Sequence, residues 1–116
     1  MLITICKKFE FEAAHNLTWH KGKCQNLHGH TYKLEVYMKA ERLKDTGILM
    51  DFGDLKNLVK ENIVDVLDHQ NLNNHFDNPT AEIMVTTILK SLNQLNKKIF
   101  KVRLYETTNS YAEAEI

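Results

Sequence analysis

Two long stretches of the chain alternate between apolar and polar residues, and this alternation restricts the possible folds more than any other feature. Side chains of a β-strand point to opposite faces in turn, so residues 2–15 and 28–40 predict two half-buried strands. The core-facing parity is odd in the first stretch, where Lys7 is the one interruption, and even in the second. The apolar residues on these faces are Ile3, Ile5, Phe9, Phe11 and Ala13, then Tyr32, Leu34, Val36, Met38 and Ala40.

Three histidines continue the core-facing parity of these strands. His15 ends the first pattern, and His28 and His30 begin the second, with Gly29 between them leaving space for a metal ion. Three neutral imidazoles around a tetrahedral ion leave its fourth position open, which is typical of catalytic zinc. The sequence therefore predicts a Zn²⁺ site formed by His15, His28 and His30.

Cys24 precedes His28 in the polar loop of residues 14–27, which joins the two strands. A thiol near a bound metal is a candidate nucleophile or base, because the positive charge of the ion favours the thiolate. The same spacing also allows Cys24 to be a fourth ligand, which would close a structural site of one cysteine and three histidines. The residues alone leave both alternatives open.

The second half of the chain begins with two helical patterns. Apolar residues recur with helical spacing from Leu55 to Leu67, and Asp51 before them suits the N-cap of this helix. A second helix is predicted to begin at Asn78-Pro79, with the asparagine as N-cap and the proline in the first helical position. The two patterns indicate a pair of amphipathic helices.

Two further strands complete the expected architecture. Phe100, Val102 and Leu104 alternate up to Glu106, and a turn at residues 107–110 leads to a short last strand. The order ββααββ predicts a single α+β domain over residues 1–116, with a four-stranded antiparallel sheet and two helices on one face. Because so small a sheet leaves its edge strands open, we expect homo-oligomerisation by edge-to-edge closure.

Two groups outside the histidine set also suggest chemistry. Asp68 and His69 follow each other after the first helix, as a capping pair or as an acid that orients an imidazole for proton transfer. Glu106 shares the inward parity of Val102 and Leu104, so its carboxylate needs donors from the protein or from a ligand. A strand end beside a pocket favours the ligand.

The composition excludes several classes of function. The chain has 15 basic and 15 acidic residues, and no cluster of Lys or Arg resembles a nucleic-acid-binding surface. No stretch approaches the roughly 20 apolar residues of a membrane span, and the N-terminal apolar run is too short for a signal peptide. Two cysteines, one beside a histidine cluster, suit free thiols in a reducing cytoplasm. We expect a cytoplasmic protein that binds neither nucleic acid nor membrane.

Six short motifs occur in order along nearly the whole chain. They are Phe11-Glu12-Ala13-Ala14-His15, Cys24-x3-His28-Gly29-His30, Met50-Asp51-Phe52, Leu67-Asp68-His69-x2-Leu72-Asn73, Asn78-Pro79-Thr80-Ala81-Glu82 and Tyr105-Glu106-Thr107. Together these motifs resemble the 6-pyruvoyl-tetrahydropterin synthase / 6-carboxy-tetrahydropterin synthase family.

The resemblance implies a role for each motif residue. The three histidines would bind zinc, Cys24 would be the catalytic base, and Asp68 with His69 would form a proton relay. Glu106 would anchor a pterin, and Thr80 and Thr107 would contribute to substrate binding. The resemblance also implies the tunnelling fold, in which ββααββ subunits close into barrels with active sites between subunits, here as a hexamer made of two trimers.

The gap of three residues between Cys24 and His28 resembles the bacterial 6-carboxy-tetrahydropterin synthases of queuosine precursor synthesis. This branch implies a zinc-dependent lyase that converts 7,8-dihydroneopterin triphosphate to 6-carboxy-5,6,7,8-tetrahydropterin, releasing triphosphate and acetaldehyde. One alternative is a 6-pyruvoyl synthase, which eliminates triphosphate without C–C cleavage. Another is a non-catalytic zinc- or pterin-binding protein. Ala81 departs from the serine that is common in the fifth motif, and the Trp19-His20 pair has no assigned role.

Overall fold

A computed structural model describes residues 1–116, and the alternating stretches form its two longest strands. Strand β1 spans Ile3–His15 and β2 spans His28–Ala40, and they pair antiparallel over their whole length. The register places Ala13 opposite His30 and His15 opposite His28. Residues that are paired across an antiparallel ladder point to the same face, so the three imidazoles leave the sheet on one side.

The other elements follow in the expected order. They are α1 (Phe52–Val59), α2 (Asp65–Leu67), β3 (Gln70–Asn71), α3 (Ala81–Leu95), β4 (Ile99–Thr107) and β5 (Ser110–Glu115). A π-helical turn, Lys60–Val64, joins α1 to α2, and Asn62 Nδ2 donates to the Leu58 carbonyl within it at 2.7 Å. The Asp51 side chain accepts from the Gly53 and Asp54 amides, which confirms it as the N-cap of α1.

The core lies between the helices and one face of the sheet. Ile88 and Leu92 of α3 pack in the same apolar cluster as Val36 of β2 and Val102 of β4. The opposite face of the sheet, which we call the outer face, carries exposed charged residues of β1 and β2, namely Lys8, Glu10, Glu12 and Lys33. The predicted α+β class with two helices on one face is therefore confirmed. None of the helices combines the length and the apolar character that crossing a membrane requires.

The sheet has five strands in the order β3-β1-β2-β4-β5, so the prediction of four antiparallel strands was incomplete. Strand β3 runs parallel to β1 and pairs with it only at Ala13 and Ala14. Its two residues, Gln70 and Asn71, are polar and too few to produce an alternating pattern. The pairing follows from the turn at His69, which the sequence pattern does not reveal.

Two expected positions differ in the structure. The helix predicted to begin at Asn78-Pro79 begins at Ala81, because Thr80 is extended and its hydroxyl accepts from the Ile83 amide at 3.1 Å. Phe100 is only half-buried, and Ile99 takes the core position instead. A β-bulge in the pairing of β2 with β4 shifts the inward parity there.

Candidate active site

Three imidazoles come together at the C-terminal end of β1 and the N-terminal end of β2, on the core-facing side of the sheet. His15 is 1% exposed, and one ring nitrogen each from His15, His28 and His30 lies within 4.8 Å of the others. No cysteine belongs to this group. The predicted histidine cluster is therefore present, and its three nitrogen donors are the ligand type that zinc prefers.

Backbone carbonyls determine which nitrogen of two rings faces the cluster. His15 Nδ1 lies 2.8 Å from the Pro79 carbonyl oxygen, and His28 Nδ1 lies 2.7 Å from the Asn26 carbonyl oxygen. A carbonyl oxygen only accepts, so each Nδ1 carries the proton and each neutral ring presents an unprotonated Nε2. The two Nε2 atoms are 3.1 Å apart. Two lone pairs at this distance repel each other, and a cation bound by both nitrogens would remove that repulsion.

His30 supplies the third nitrogen. Its Nε2 atom is buried and has no hydrogen-bond partner. Burial lowers the pKa of His30, while the nearby Glu106 carboxylate raises it and His15 and His28 lower it. An unpartnered buried nitrogen on a neutral ring is unfavourable without a ligand. A metal ion would satisfy it, so the residues present fit Zn²⁺.

Glu106 points to this cluster from β4. The register of β4 against β5 shifts between Tyr105 and Thr107, so Glu106 is the extra residue of a bulge. Bulges change the direction of a side chain, and here the Glu106 Oε1 atom lies 3.5 Å from His30 Nε2. Glu106 also lines a surface cavity of about 430 Å³ together with Glu82 and Tyr111. The carboxylate faces both the histidines and open space.

Cys24 lies in a short 3₁₀ turn, Lys23–Gln25, within the loop that joins β1 to β2. Its carbonyl accepts from the Leu17 amide at 2.7 Å, and its thiol is half-buried. Cys24 is not one of the residues whose ligand atoms form the histidine group. The geometry therefore favours a thiol that lies outside the ligand set over a fourth ligand.

Asp68 and His69 form a close pair. Asp68 Oδ1 accepts from His69 Nδ1 at 3.0 Å and from the Glu12 amide at 2.9 Å. The hydrogen bond from the Glu12 backbone N–H is the main reason that the pKa of Asp68 is lowered, and the hydrogen bond from His69 contributes further. An ionised Asp68 keeps the proton of His69 on Nδ1 and leaves Nε2 free to accept one.

His69 is the only non-glycine residue with a positive φ, at 59°. Such a conformation is uncommon and costs about 1–2 kcal/mol per residue, and residues held in this way cluster at functional sites. Here it turns the chain from α2 into β3 and places Asp68 beside the ring. The backbone conformation thus supports a functional interpretation of the pair.

The sheet separates this pair from the histidine cluster within one chain. His69 lines a groove of about 450 Å³ together with Glu12 and Thr31, and His30 also lines it. Glu12 and Thr31 have the parity opposite to His30, so their side chains belong to the outer face, whereas the ligand nitrogen of His30 lies with those of His15 and His28. No hydrogen bond or ion pair joins His69 to Cys24. The structure thus brings the three histidines and Glu106 together and places Asp68 and His69 apart from them.

The two threonines named by the resemblance occupy turns near the cluster. Thr80 caps α3 directly after Pro79, whose carbonyl holds His15. Thr107 follows Glu106, and its hydroxyl accepts from the Asn109 amide at 3.3 Å in the turn before β5. Both hydroxyls are thus close in sequence to groups of the site, and both have a partner within the chain.

Sequence reasoning missed the groups that orient the site. The carbonyls of Asn26 and Pro79 belong to the backbone, and no residue pattern identifies them. Asn16 and Asn73 were also missed, although they exchange two bonds of 2.9 Å between the Cys24 loop and the segment before α3. The Leu72-Asn73 motif was the only available signal, because it named one partner of this pair.

Comparison with known proteins agrees with this geometry. The chain matches the family described as 6-pyruvoyl tetrahydropterin synthase over residues 4–116. It is 39% identical to the 6-carboxy-5,6,7,8-tetrahydropterin synthase of Haemophilus influenzae over 114 residues, covering 96% of this chain and 77% of that protein. It is 38% identical to the Synechocystis protein of the same name over 115 residues, covering 93% and 89%.

A solved structure of the Caenorhabditis elegans 6-pyruvoyl tetrahydropterin synthase shares the fold. Its TM-score is 0.88 at 23% identity, with 100% of this chain and 96% of that chain covered. This likeness, like the match in sequence, extends over the whole domain. The resemblance drawn from the six motifs is therefore confirmed, and the chain belongs to the 6-pyruvoyl tetrahydropterin synthase family.

Proposed function

We propose that the chain is a zinc-dependent 6-carboxy-5,6,7,8-tetrahydropterin synthase. Its reaction would convert 7,8-dihydroneopterin triphosphate and one water molecule to 6-carboxy-5,6,7,8-tetrahydropterin, triphosphate and acetaldehyde, as in queuosine precursor synthesis. The names of the two relatives agree with the branch that the spacing of Cys24 and His28 predicts. The free thiols of Cys6 and Cys24 support a cytoplasmic location.

One observation carries this proposal. Three imidazoles present ligand nitrogens to one point, no sulfur of the chain joins them, and the nearby Glu106 carboxylate lies 3.5 Å from His30 Nε2. His15, His28 and His30 would therefore hold zinc with one coordination position left for substrate. When bound there, zinc would supply Lewis-acid activation of the substrate's side-chain oxygens. A closed structural site would need a fourth protein ligand.

The other residues have roles in proton transfer. Cys24, as the thiolate, is the base that removes a proton from a side-chain carbon of the substrate. His69 accepts the thiol's proton through Nε2, and Asp68 holds the ring through Nδ1. Because His69 lies at the outer face of its own sheet, we propose that each relay is completed by Cys24 of a second copy. This agrees with the hexamer of two trimers, with sites between subunits, that the family resemblance implies.

Glu106 is proposed to bind the pterin ring. Two adjacent N–H donors of the pterin, the 2-amino group and a ring nitrogen, match the two oxygens of one carboxylate. The cavity beside Glu106 opens toward the N-terminus of α3, where Thr80 lies. Thr80 and Thr107 are proposed as further polar contacts for the same substrate.

Replacing Glu106 with Gln tests this role. The change substitutes an NH₂ group for one acceptor oxygen, so a ligand donor would face a protein donor. We expect pterin binding to weaken by about 2–4 kcal/mol, because a charge-assisted hydrogen bond is lost and a repulsive contact is created. Titration with a pterin ligand measures the affinity, and thermal unfolding of the same variant measures stability.

The control is Glu82→Gln, a change in the same cavity at a residue with no proposed contact. It should leave pterin affinity close to that of the wild type. If Glu106→Gln instead lowers the melting temperature and leaves pterin affinity intact, the carboxylate has a structural role within the subunit. That result would end the anchor hypothesis.

Product analysis tests the proposed reaction as a whole. Incubation of the zinc-loaded protein with 7,8-dihydroneopterin triphosphate should release triphosphate and acetaldehyde in equal amounts and yield the 6-carboxy product. Triphosphate without acetaldehyde would identify a 6-pyruvoyl synthase instead. Bound zinc without any turnover would support the non-catalytic alternative.

A further inference from the structure

Trp19 is a large aromatic residue that the fold does not bury. Its side chain is 60% exposed, yet its indole Nε1–H donates to Asn78 Oδ1 at 2.8 Å. This bond joins the loop between β1 and β2 to the segment before α3. Nothing in the proposed reaction uses either residue, so the bond needs its own explanation.

Asn78 belongs to a compact segment that contacts the histidine cluster directly. The next residue, Pro79, accepts from His15 Nδ1 through its carbonyl at 2.8 Å. The Thr80 amide donates back to the Asn78 carbonyl at 2.9 Å, and Thr80 then caps α3. The bond from Trp19 to the Asn78 side chain therefore restrains the segment whose Pro79 carbonyl orients His15.

Trp19 lies on the same loop as Cys24. The Leu17 amide donates to the Cys24 carbonyl at 2.7 Å, and the His20 amide donates to the Leu17 carbonyl at 2.9 Å. His20 Nδ1 in turn accepts from the Gly22 amide at 2.9 Å. These hydrogen bonds make the loop compact. The hydrogen bond from Trp19 to Asn78 therefore also restrains the turn that contains Cys24.

We propose that Trp19 is a positioning residue for the metal centre. Its bond to Asn78 fixes the Cys24 loop against the segment whose Pro79 carbonyl orients His15. This inference rests on the proposed zinc site. Groups that hydrogen-bond directly to a metal ligand typically contribute 10- to 100-fold to metal affinity. Trp19 does not bond to a ligand directly, because its hydrogen bond is to Asn78, which is next to the Pro79 that contacts His15. We therefore expect its loss to speed zinc release about 3- to 10-fold.

The test is the rate of zinc transfer from the full-length, zinc-loaded protein to a chromophoric chelator. Trp19→Phe keeps an aromatic ring and removes the donor, and Asn78→Ala removes the acceptor. Each should release zinc about 3- to 10-fold faster. This effect is smaller than the 10- to 100-fold effect of losing a group that hydrogen-bonds directly to a metal ligand. The double variant should be no faster than either single one, because both changes remove one bond. Asn78→Asp retains an acceptor oxygen and should release zinc at nearly the wild-type rate.

Two further measurements separate positioning from a loss of stability. Thr86→Val removes an exposed hydroxyl bond to the Glu82 carbonyl, away from the histidines, and should leave zinc release unchanged. In the cobalt-substituted protein, Trp19→Phe should change the visible ligand-field spectrum, which reports ligand geometry, whereas Thr86→Val should not.

The positioning role would be overturned if zinc-loaded Trp19→Phe released zinc at the wild-type rate. It would also be overturned if the effects of the two single changes added in the double variant. Either result would leave the proposed zinc site intact. A wild-type chain that takes up no zinc would overturn the proposed zinc function and this inference with it.

Discussion

We expect the replacement of His28 with Ala to remove most of the bound zinc and the catalytic activity of the protein. His28 Nε2 lies 3.1 Å from His15 Nε2 within the cluster, so the substitution leaves two imidazoles where three are needed. Loss of a group that merely supports a ligand typically weakens metal binding 10- to 100-fold, so loss of a ligand should exceed roughly 100-fold. Metal analysis after gel filtration and the rate of triphosphate release measure the two effects.

The matched control is His75→Ala. His75 is an exposed histidine whose ring contacts Gln70 and does not belong to the cluster. This variant should retain about one zinc per subunit and full activity. If His28→Ala retains zinc at the same level as His75→Ala, the three imidazoles are not the metal ligands.

We expect the replacement of Cys24 with Ala to leave zinc and the proposed oligomer in place and to lower turnover by roughly 10²- to 10⁴-fold, the range typical of a lost proton-transfer group. The reason is that the thiol lies outside the histidine group and is proposed to act only on the substrate. Cys6→Ala is the control, because Cys6 lies on the outer face beside Tyr37, where burial raises the pKa of its thiol. Turnover near the wild-type rate in Cys24→Ala would refute the base role.

His69 provides a second test of the same relay. His69→Ala should lose turnover to a similar extent, and the double variant should be little worse than either single one, since the pair acts as a unit. If the relay crosses between copies, mixing Cys24→Ala and His69→Ala subunits should restore part of the activity, because some sites then combine both intact residues. Mixed oligomers that stay inactive would place the relay within one chain.

The histidine cluster could be predicted from the sequence because strand alternation fixes which face each side chain occupies. His15, His28 and His30 continue the apolar parity of β1 and β2, and the antiparallel register then brings their rings together. The N-cap at Asp51 was predictable for a similar reason, since the local chemistry of a helix start is encoded within a few residues. The face that each side chain occupies and the cap at Asp51 depend only on near neighbours along the chain.

Features that depend on distant contacts could not be predicted in this way. Strand β3 exists because His69 adopts a left-handed turn beside β1, and the bulge at Glu106 depends on the pairing of β4 with β5, although the inward direction of Glu106 itself was predicted from its parity. The start of α3 at Ala81 reflects the use of the Pro79 carbonyl by His15 and the cap at Thr80. The position of His69 on the outer face followed from tertiary pairing and not from any periodicity.

X-ray absorption at the zinc edge of the purified, zinc-loaded protein tests the open three-histidine site most directly. We expect a first shell of nitrogen and oxygen ligands only, near the 2.0–2.1 Å typical of Zn–N bonds, with the pattern of outer-shell scattering that imidazoles produce. A sulfur shell near 2.3 Å would contradict it. That result would make Cys24 a fourth ligand, close the site, and remove the position on which the proposed chemistry depends.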